Sequence, residues 1–341
     1  MVLREFDEGH RHAAPPIGAH KEQYPEAIES PVFLVGAVRS GTTLLSLMLS
    51  HHPEIAFPGE FEIAVDQITP DGIWPALPDY YQWLKSNRHF LWHGLQIDAT
   101  LDYPSLVRSF LGQMKQENEG HAKPFVGAAV HWKFQHLPRI WPGARFIHVL
   151  RDPRDVAASI VAEGWEGNHY VAARIWHECE VNWTALKSSL PDDHYIEVRF
   201  EDLARDPRKT LERLCAFIGV PYRESMLSYP DHTTYTQVDP NVAERWRRDQ
   251  SRHEIRLGEA GAREMLEIRG YEPSGLPQLA IRRLYRRWLR FQSRASTLPF
   301  RLRRYGVNLW LQRRIAQALG MRAWHDRIML RHHAILNRHL K

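Results

Sequence analysis

Cysteine is scarce in this chain: Cys179 and Cys215 are the only thiols among 341 residues. No C-x-x-C pair is present, so a disulfide framework and a cysteine-built zinc site are both excluded, and two buried thiols inside helices are expected. Long apolar runs are missing too. None approaches the ~20 residues that a membrane-spanning helix needs. The opening segment MVLREFDEGHRHAAPPIGAHKE is polar and proline-containing, without the apolar core of a signal peptide. A cytoplasmic protein is expected. Acid is scarce at one end. Residues 277–341 carry fifteen Arg and one Lys against Asp326 alone, a net charge of +15. The first 276 residues hold 29 basic and 39 acidic side chains, a net of −10, and the two parts give the +5 of the whole chain. No repeat or low-complexity linker appears before residue 277.

At 43% hydrophobic residues, the chain can bury a large core. Its most informative stretch is Pro31 to Thr43, PVFLVGAVRSGTT. The apolar run Val32 to Val35 predicts a buried strand, and Leu44, Leu45, Leu47 and Met48 beyond it fall at helical spacing. Between them Gly36 and Gly41 stand in the spacing G-x-x-x-x-G, which lets the backbone turn tightly and come close to a ligand. The amides that open the following helix, with the Thr42 and Thr43 hydroxyls, make an anion site, and Arg39 supplies charge. A Walker motif carries Lys after its second glycine and a hydroxyl residue for magnesium next. Here Thr42 takes the lysine's place, so metal-assisted transfer from ATP is disfavoured.

A second motif, RFIHVLRDPRDVAAS, runs from Arg145 to Ser159. Phe146, Ile147, Val149 and Leu150 read as a strand that ends on Arg151, Asp152 is a capping residue, and Pro153 can start a helix without losing a needed donor. Arg151 at the strand end and Ser159 on the helix can converge on one phosphate, which an arginine fork binds through two parallel hydrogen bonds. The alternative is a solvated ion-pair cluster of Arg151, Asp152, Arg154 and Asp155.

Together these motifs resemble the sulfotransferases that use 3'-phosphoadenosine 5'-phosphosulfate (PAPS), with bacterial members and the tyrosylprotein branch nearer than the cytosolic small-molecule branch. The similarity continues through HYIEVRFEDLARDPRKTLERLCAFIGVPY, NVAERW and LEIRGYEP, and so spans most of residues 31–273. It implies a three-layer α/β fold, P-loop-like, with a central, mainly parallel sheet between helices. It also implies transfer of a sulfuryl group from PAPS to a hydroxyl or amine, without a metal. Arg39, Ser40, Gly41, Thr42 and Thr43 would hold the 5'-phosphosulfate, Arg151 and Ser159 the 3'-phosphate, and Arg245 and Arg247 the donor phosphates from a later segment. Charge on the departing phosphate would be met by Arg39 and the loop amides. The acceptor must lose a proton, and two general bases are candidates. Glu60 falls where the tyrosylprotein branch carries its glutamate. His131 precedes the Arg145 strand as the histidine of the cytosolic branch does. Val38 replaces the proline common before the loop arginine, and Ala129 stands where a lysine is frequent, which leaves Lys133 a weak substitute.

The expected organisation is a polar segment over 1–28, a catalytic domain over 29–276 and a helical extension over 277–341. In the extension, Ile281, Leu284, Tyr285, Trp288 and Leu289 mark one apolar helical face with arginines largely off it. That pattern reads as a membrane-surface or polyanion contact, or else as a face packed on the catalytic domain, and Pro299 and Gly320 are expected to break the extension into several helices. No specific nucleic-acid motif is present, and the acceptor class is open. A P-loop nucleotide kinase and a nucleotide- or polyanion-binding module without chemistry are the alternative functions.

Overall fold

The computed structural model describes residues 28–117, 123–231, 233 and 235–339, so the polar segment over 1–28 lies, Ile28 apart, outside the described residues. Five strands form one sheet: β1 (Val32–Val35), β2 (Ile55–Ala56), β3 (Phe125–Val130), β4 (Arg145–Leu150) and β5 (Tyr195–Arg199). Their order is β2-β3-β1-β4-β5, and every pair is parallel. All four side chains of β1 are buried. Alternation along the strand sends Phe33 and Val35 to one face, where they pack with Phe61, Phe110 and Trp141. Val32 and Leu34 pack on the other with Leu45, Leu49 and Phe200. Cover on both faces is what an all-parallel sheet requires, and the three-layer α/β architecture expected from the sequence is present.

Chain direction places the site. From β1 the chain passes through α1 (Thr42–Ser50) toward β2 and β3 on one side, while β4 and β5 lie on the other. Val35 pairs with both Val130 and His148, so three neighbouring strands end close together. A crevice outside the carboxyl ends of strands where the order reverses is the binding position of open α/β sheets.

Beyond β4 run α2 (Pro153–Ala162) and α3 (His169–Lys187), and beyond β5 runs α4 (Phe200–Arg205). α5 (Arg252–Ala262) opens on a capping box between Ser251 and Glu254 and packs across α3. The chain ends in α6 (Arg283–Tyr305), α7 (Val307–Ala318) and α8 (Arg322–His339). The apolar face of α6 is divided. Ile281, Tyr285 and Leu289 pack on Tyr170 and Leu257, while Leu284 and Trp288 stand exposed. The helix is also tied in by hydrogen bonds: Ser293 Oγ accepts from Gly167 N at 2.7 Å, and Leu289 O accepts from Asn168 Nδ2 at 2.8 Å. Pro299 does not end this helix, contrary to the sequence expectation. Proline removes only one ladder donor, and the adjacent Phe300 is anchored against Gly164. The first break falls at Gly306, whose φ of +77° a side chain would resist, and the second at Gly320, as expected. Among the described residues no helix is long and apolar enough to cross a membrane.

Candidate active site

The Gly36–Thr43 turn is held closed by its own geometry. Gly36 passes so near β4 that a Cβ there would sit 2.4 Å from Val149 O, and Gly41, at φ +99°, leaves 2.2 Å between a Cβ and the Phe200 ring. Gly41 also starts α1 without a side-chain cap, so the first amides of that helix stay open to an anion. Arg39 is itself left-handed at φ 70°, a costly conformation for a residue with a Cβ. Its Nε donates to Ser159 Oγ at 3.0 Å and its Nη2 to Glu163 at 3.2 Å, with the Trp165 ring 5.6 Å away. Ser40 is fully buried below the turn, and its hydroxyl has no partner among the described residues.

The second motif converges on the first. Arg151 Nη1 donates to Arg39 O at 3.2 Å, and its guanidinium lies 4.3 Å over Phe200. Its Nε has no hydrogen-bond partner among the described residues. Burial lowers the Arg151 pKa, while Asp155 and Glu201 pull it back up. Asp155 is itself raised to about 6, chiefly by burial, with Arg151 opposing. The cluster is therefore not a solvated ion-pair network. Asp152 caps α2 by accepting from Arg154 N, and its carboxylate also grips the buried Arg154 side chain at 2.7 and 2.9 Å. Arg154 reaches Glu259 as well and stacks 3.6 Å from Trp246. Glu201 accepts from Asp152 N at 2.8 Å, so the RFEDL segment braces the strand end that presents Arg151.

The two base candidates occupy different surroundings. Glu60 bridges to Ala129 of β3, and its half-exposed carboxylate comes within 3.5 Å of His89 Nε2. His131 is buried: Nδ1 lies 2.6 Å from Glu62 Oε1 and Nε2 lies 2.9 Å from Thr42 Oγ1. Because a carboxylate only accepts, Nδ1 carries the proton toward Glu62, and in the neutral ring Nε2 accepts from the Thr42 hydroxyl. Burial pushes the His131 pKa down, but the Glu62 hydrogen bond and charge outweigh it and hold the value above normal. Glu60, Glu62 and His89 each offer one donor atom, all within 4.8 Å of one another, a grouping able to hold a metal ion.

A cleft of about 2230 Å³ gathers these parts. Arg39, Gly41, Thr42 and Thr43 line it from the turn, Arg151 and Ser159 from the second motif, and Glu60 and His131 from the far side. Arg245 reaches the same cleft and pairs with Asp249. Arg247 is not among the lining residues; it pairs with Glu244 and stacks on Trp246. Lys133 donates to Asp66 O and Ile68 O, the backbone of a neighbouring turn. Three contributors went unmarked in sequence. Glu62 orients His131, Phe200 floors both motifs, and the C-terminal helices supply Arg301, Arg304, Arg313 and Arg314 to one wall.

Similarity to known proteins runs along this same part of the chain. The model of the sulfotransferase family matches residues 31–224. Protein-tyrosine sulfotransferase A of Caenorhabditis elegans is 24% identical over 219 residues, which cover 58% of this chain and 52% of that protein. Protein-tyrosine sulfotransferase 1 of Danio rerio is also 24% identical over 219 residues, covering 59% and 56%. The chain thus spans about half the length of these curated relatives. The sulfotransferase domain of the Synechococcus PCC 7002 olefin synthase shares the fold, with a TM-score of 0.50 at 22% identity over 72% of this chain and 99% of that domain. With the Gly36–Thr43 turn and the Arg145–Ser159 motif both inside the matched residues, the chain belongs to the sulfotransferase family.

Proposed function

We propose that the protein transfers a sulfuryl group from PAPS to an acceptor hydroxyl or amine. One observation carries this reading: two motifs 112 residues apart meet at the ends of adjacent strands, where Arg151 bonds the Arg39 carbonyl. A donor with phosphate at two positions needs several anion-binding groups around one cleft; the α1 amides and Arg39 are assigned to the 5'-phosphosulfate and Arg151 with Ser159 to the 3'-phosphate, the two sets adjoining through the Arg39–Ser159 and Arg151–Arg39 contacts. The fit is supported by the close glycine passage at Gly36 and Gly41 and by the buried, unpartnered Ser40 Oγ and Arg151 Nε. Arg39 and the loop amides meet the charge that gathers on the bisphosphate as the S–O bond breaks. This electrostatic role substitutes for a divalent ion, so transfer is proposed to be metal-independent.

Glu60 is the better-placed base. Both ring nitrogens of His131 are committed inside the protein, to Glu62 and to Thr42, whereas the Glu60 carboxylate opens onto the cleft. Glu60 takes the acceptor proton, and His131 in its protonated form, favoured by Glu62, donates Nε2–H to Thr42 Oγ1 and leaves that hydroxyl's own proton for the donor. The relatives' names specify protein tyrosine as their acceptor; here the class stays at a hydroxyl or amine. Peripheral membrane contact is supported by exposed Leu284, Trp288 and Phe291, which alternate with Arg287 and Arg290, and a cytoplasmic location is proposed with it.

Calorimetry tests the donor assignment. Adenosine 3',5'-bisphosphate should bind without added metal and more tightly than ATP with magnesium. Tighter ATP binding would favour a nucleotide kinase and end this reading.

A further inference from the structure

The C-terminal helices do more than cover apolar surface. Phe300 of α6 packs on Gly164, where an added Cβ would lie 2.4 Å from its ring. Gly164 sits between Glu163 and Trp165, the two residues that flank the Arg39 guanidinium. Arg304, one helical turn on, stacks 4.7 Å over Phe300. Four contacts therefore connect the phosphate loop to the arginine-rich wall, and Arg301, Arg304, Arg313 and Arg314 line the same cleft as Arg39 and Glu60. Among the described residues none of these four pairs with a carboxylate. Burial depresses the Arg313 pKa, and repulsion from Arg301 and Arg314 deepens the effect. Like charges brought together under partial burial cost free energy unless an anion joins them. Arg154, out of solvent, is matched by Asp152 and Glu259, whereas half-buried Arg304 and Arg313, with exposed Arg301 and Arg314 beside them, have no such acid among the described residues. The wall is thus a cluster of cations facing a cleft without its counter-charge.

We propose that Arg301, Arg304, Arg313 and Arg314 bind an anionic group of phosphate or sulfate type on the acceptor, holding its nucleophile toward Glu60 and the donor. This rests on the sulfotransferase reading and adds to it the acceptor's charge. Guanidinium forks suit a tetrahedral oxyanion. Phe300, Tyr305 and Trp310, lining the same wall, offer apolar surface for the body that carries it. These residues lie outside the 31–224 family match, so the specificity belongs to this chain's extension.

The test uses the full-length protein saturated with adenosine 3',5'-bisphosphate, so that the donor site cannot take up the probe. 2-Naphthyl phosphate and neutral 2-naphthol are titrated by calorimetry at low and high salt. The phosphate should bind, weaken with salt and exceed the naphthol by about tenfold or more, the value of one hydrogen-bonded charge. R313A/R314A should lose about the same factor while keeping its affinity for the bisphosphate, which also reports that the variant is folded. R301Q/R304Q gives a second, milder comparison if that variant does not fold. Equal binding of naphthol and its phosphate, or unchanged phosphate binding in both variants, overturns the proposal. So does binding to phosphatidylglycerol vesicles with no binding of the soluble phosphate, which would make the arginines a membrane contact. If the bisphosphate itself fails to bind, the donor reading falls, and the same titration on the protein alone still decides the anion site.

Discussion

Removing the Arg151 guanidinium isolates one end of the donor. If it grips the 3'-phosphate, Arg151→Ala deletes a charge-assisted contact of about 1.5–3 kcal/mol. That is roughly a ten- to hundred-and-fifty-fold loss of affinity for adenosine 3',5'-bisphosphate. Two structural effects bear on the figure. Arg151 also donates to Arg39 O, so any loosening of the loop falls on both ligands alike and cancels in their ratio. Asp155 and Glu201 lose their cation, but both carboxyls are already shifted toward the protonated form. Asp155 therefore takes up a proton rather than remaining an uncompensated buried charge, and the fold is spared most of the cost. Adenosine 5'-monophosphate, which lacks the 3'-phosphate, completes a cycle of two proteins and two ligands. Wild type should prefer the bisphosphate by the stated factor, and the variant should lose that preference with little change toward the monophosphate. An equal loss for both ligands would show that Arg151 acts through the loop and would refute the 3' assignment.

Glu60→Gln should cut turnover by about a hundredfold or more, the usual contribution of a general base, with bisphosphate affinity intact. His131→Ala should instead weaken bisphosphate binding by freeing Thr42; the reverse pattern, in turnover and calorimetry, moves the base to His131. Gly41→Ala forces an alanine to φ +99° against the Phe200 ring and should cost roughly 2–5 kcal/mol in urea unfolding, from left-handed strain plus overpacking. The raised Asp155 pKa fixes a sign for pH. Its contribution to stability is complete below 3.8 and is lost as pH rises through about 6, because the folded protein holds the proton longer than the unfolded chain. Melts between pH 4 and 7 should show that decline, and Asp155→Asn should flatten it. Chelation with EDTA should leave sulfuryl transfer unchanged; loss restored by a divalent ion would point instead to the Glu60, Glu62 and His89 group.

What could be read from the sequence was local. The run Val32 to Val35 is apolar at every position because the sheet is covered on both faces, and the glycine spacing marks the turn after it. Position at the strand end singled out Arg151 as the phosphate ligand, but the role of Arg154 in the same RDPRD stretch was not legible. Cap geometry divides them: Asp152 at the N-cap folds its carboxylate onto Arg154 and leaves Arg151 facing the cleft. The Glu62–His131 pair joins residues 69 positions apart, and no periodicity reports such a contact. In the extension, helical spacing revealed an apolar face but not which half would find a partner. Tyr170 and Leu257 supply that partner for Ile281, Tyr285 and Leu289 and leave Leu284 and Trp288 outside.

The arginines also differ in how readily they can be moved, and this bears on catalysis. Arg154 is held by two carboxylates out of solvent, where releasing it would strand buried charge at a cost of several kcal/mol. Arg39 pairs with Glu163 across groups that are both 37% exposed, a contact worth at most about 1 kcal/mol. An incoming phosphosulfate with full negative charge outcompetes that partner easily, so Arg39 can pass from Glu163 to the donor with little loss. The exchange releases Glu163, whose neighbour Gly164 carries the Phe300 contact of the extension. Donor binding and the position of the arginine wall thus share one short loop, residues 163–165. The consequence is directional: Glu163→Gln should tighten binding of adenosine 3',5'-bisphosphate by freeing Arg39, and unchanged or weaker binding in calorimetry would refute it.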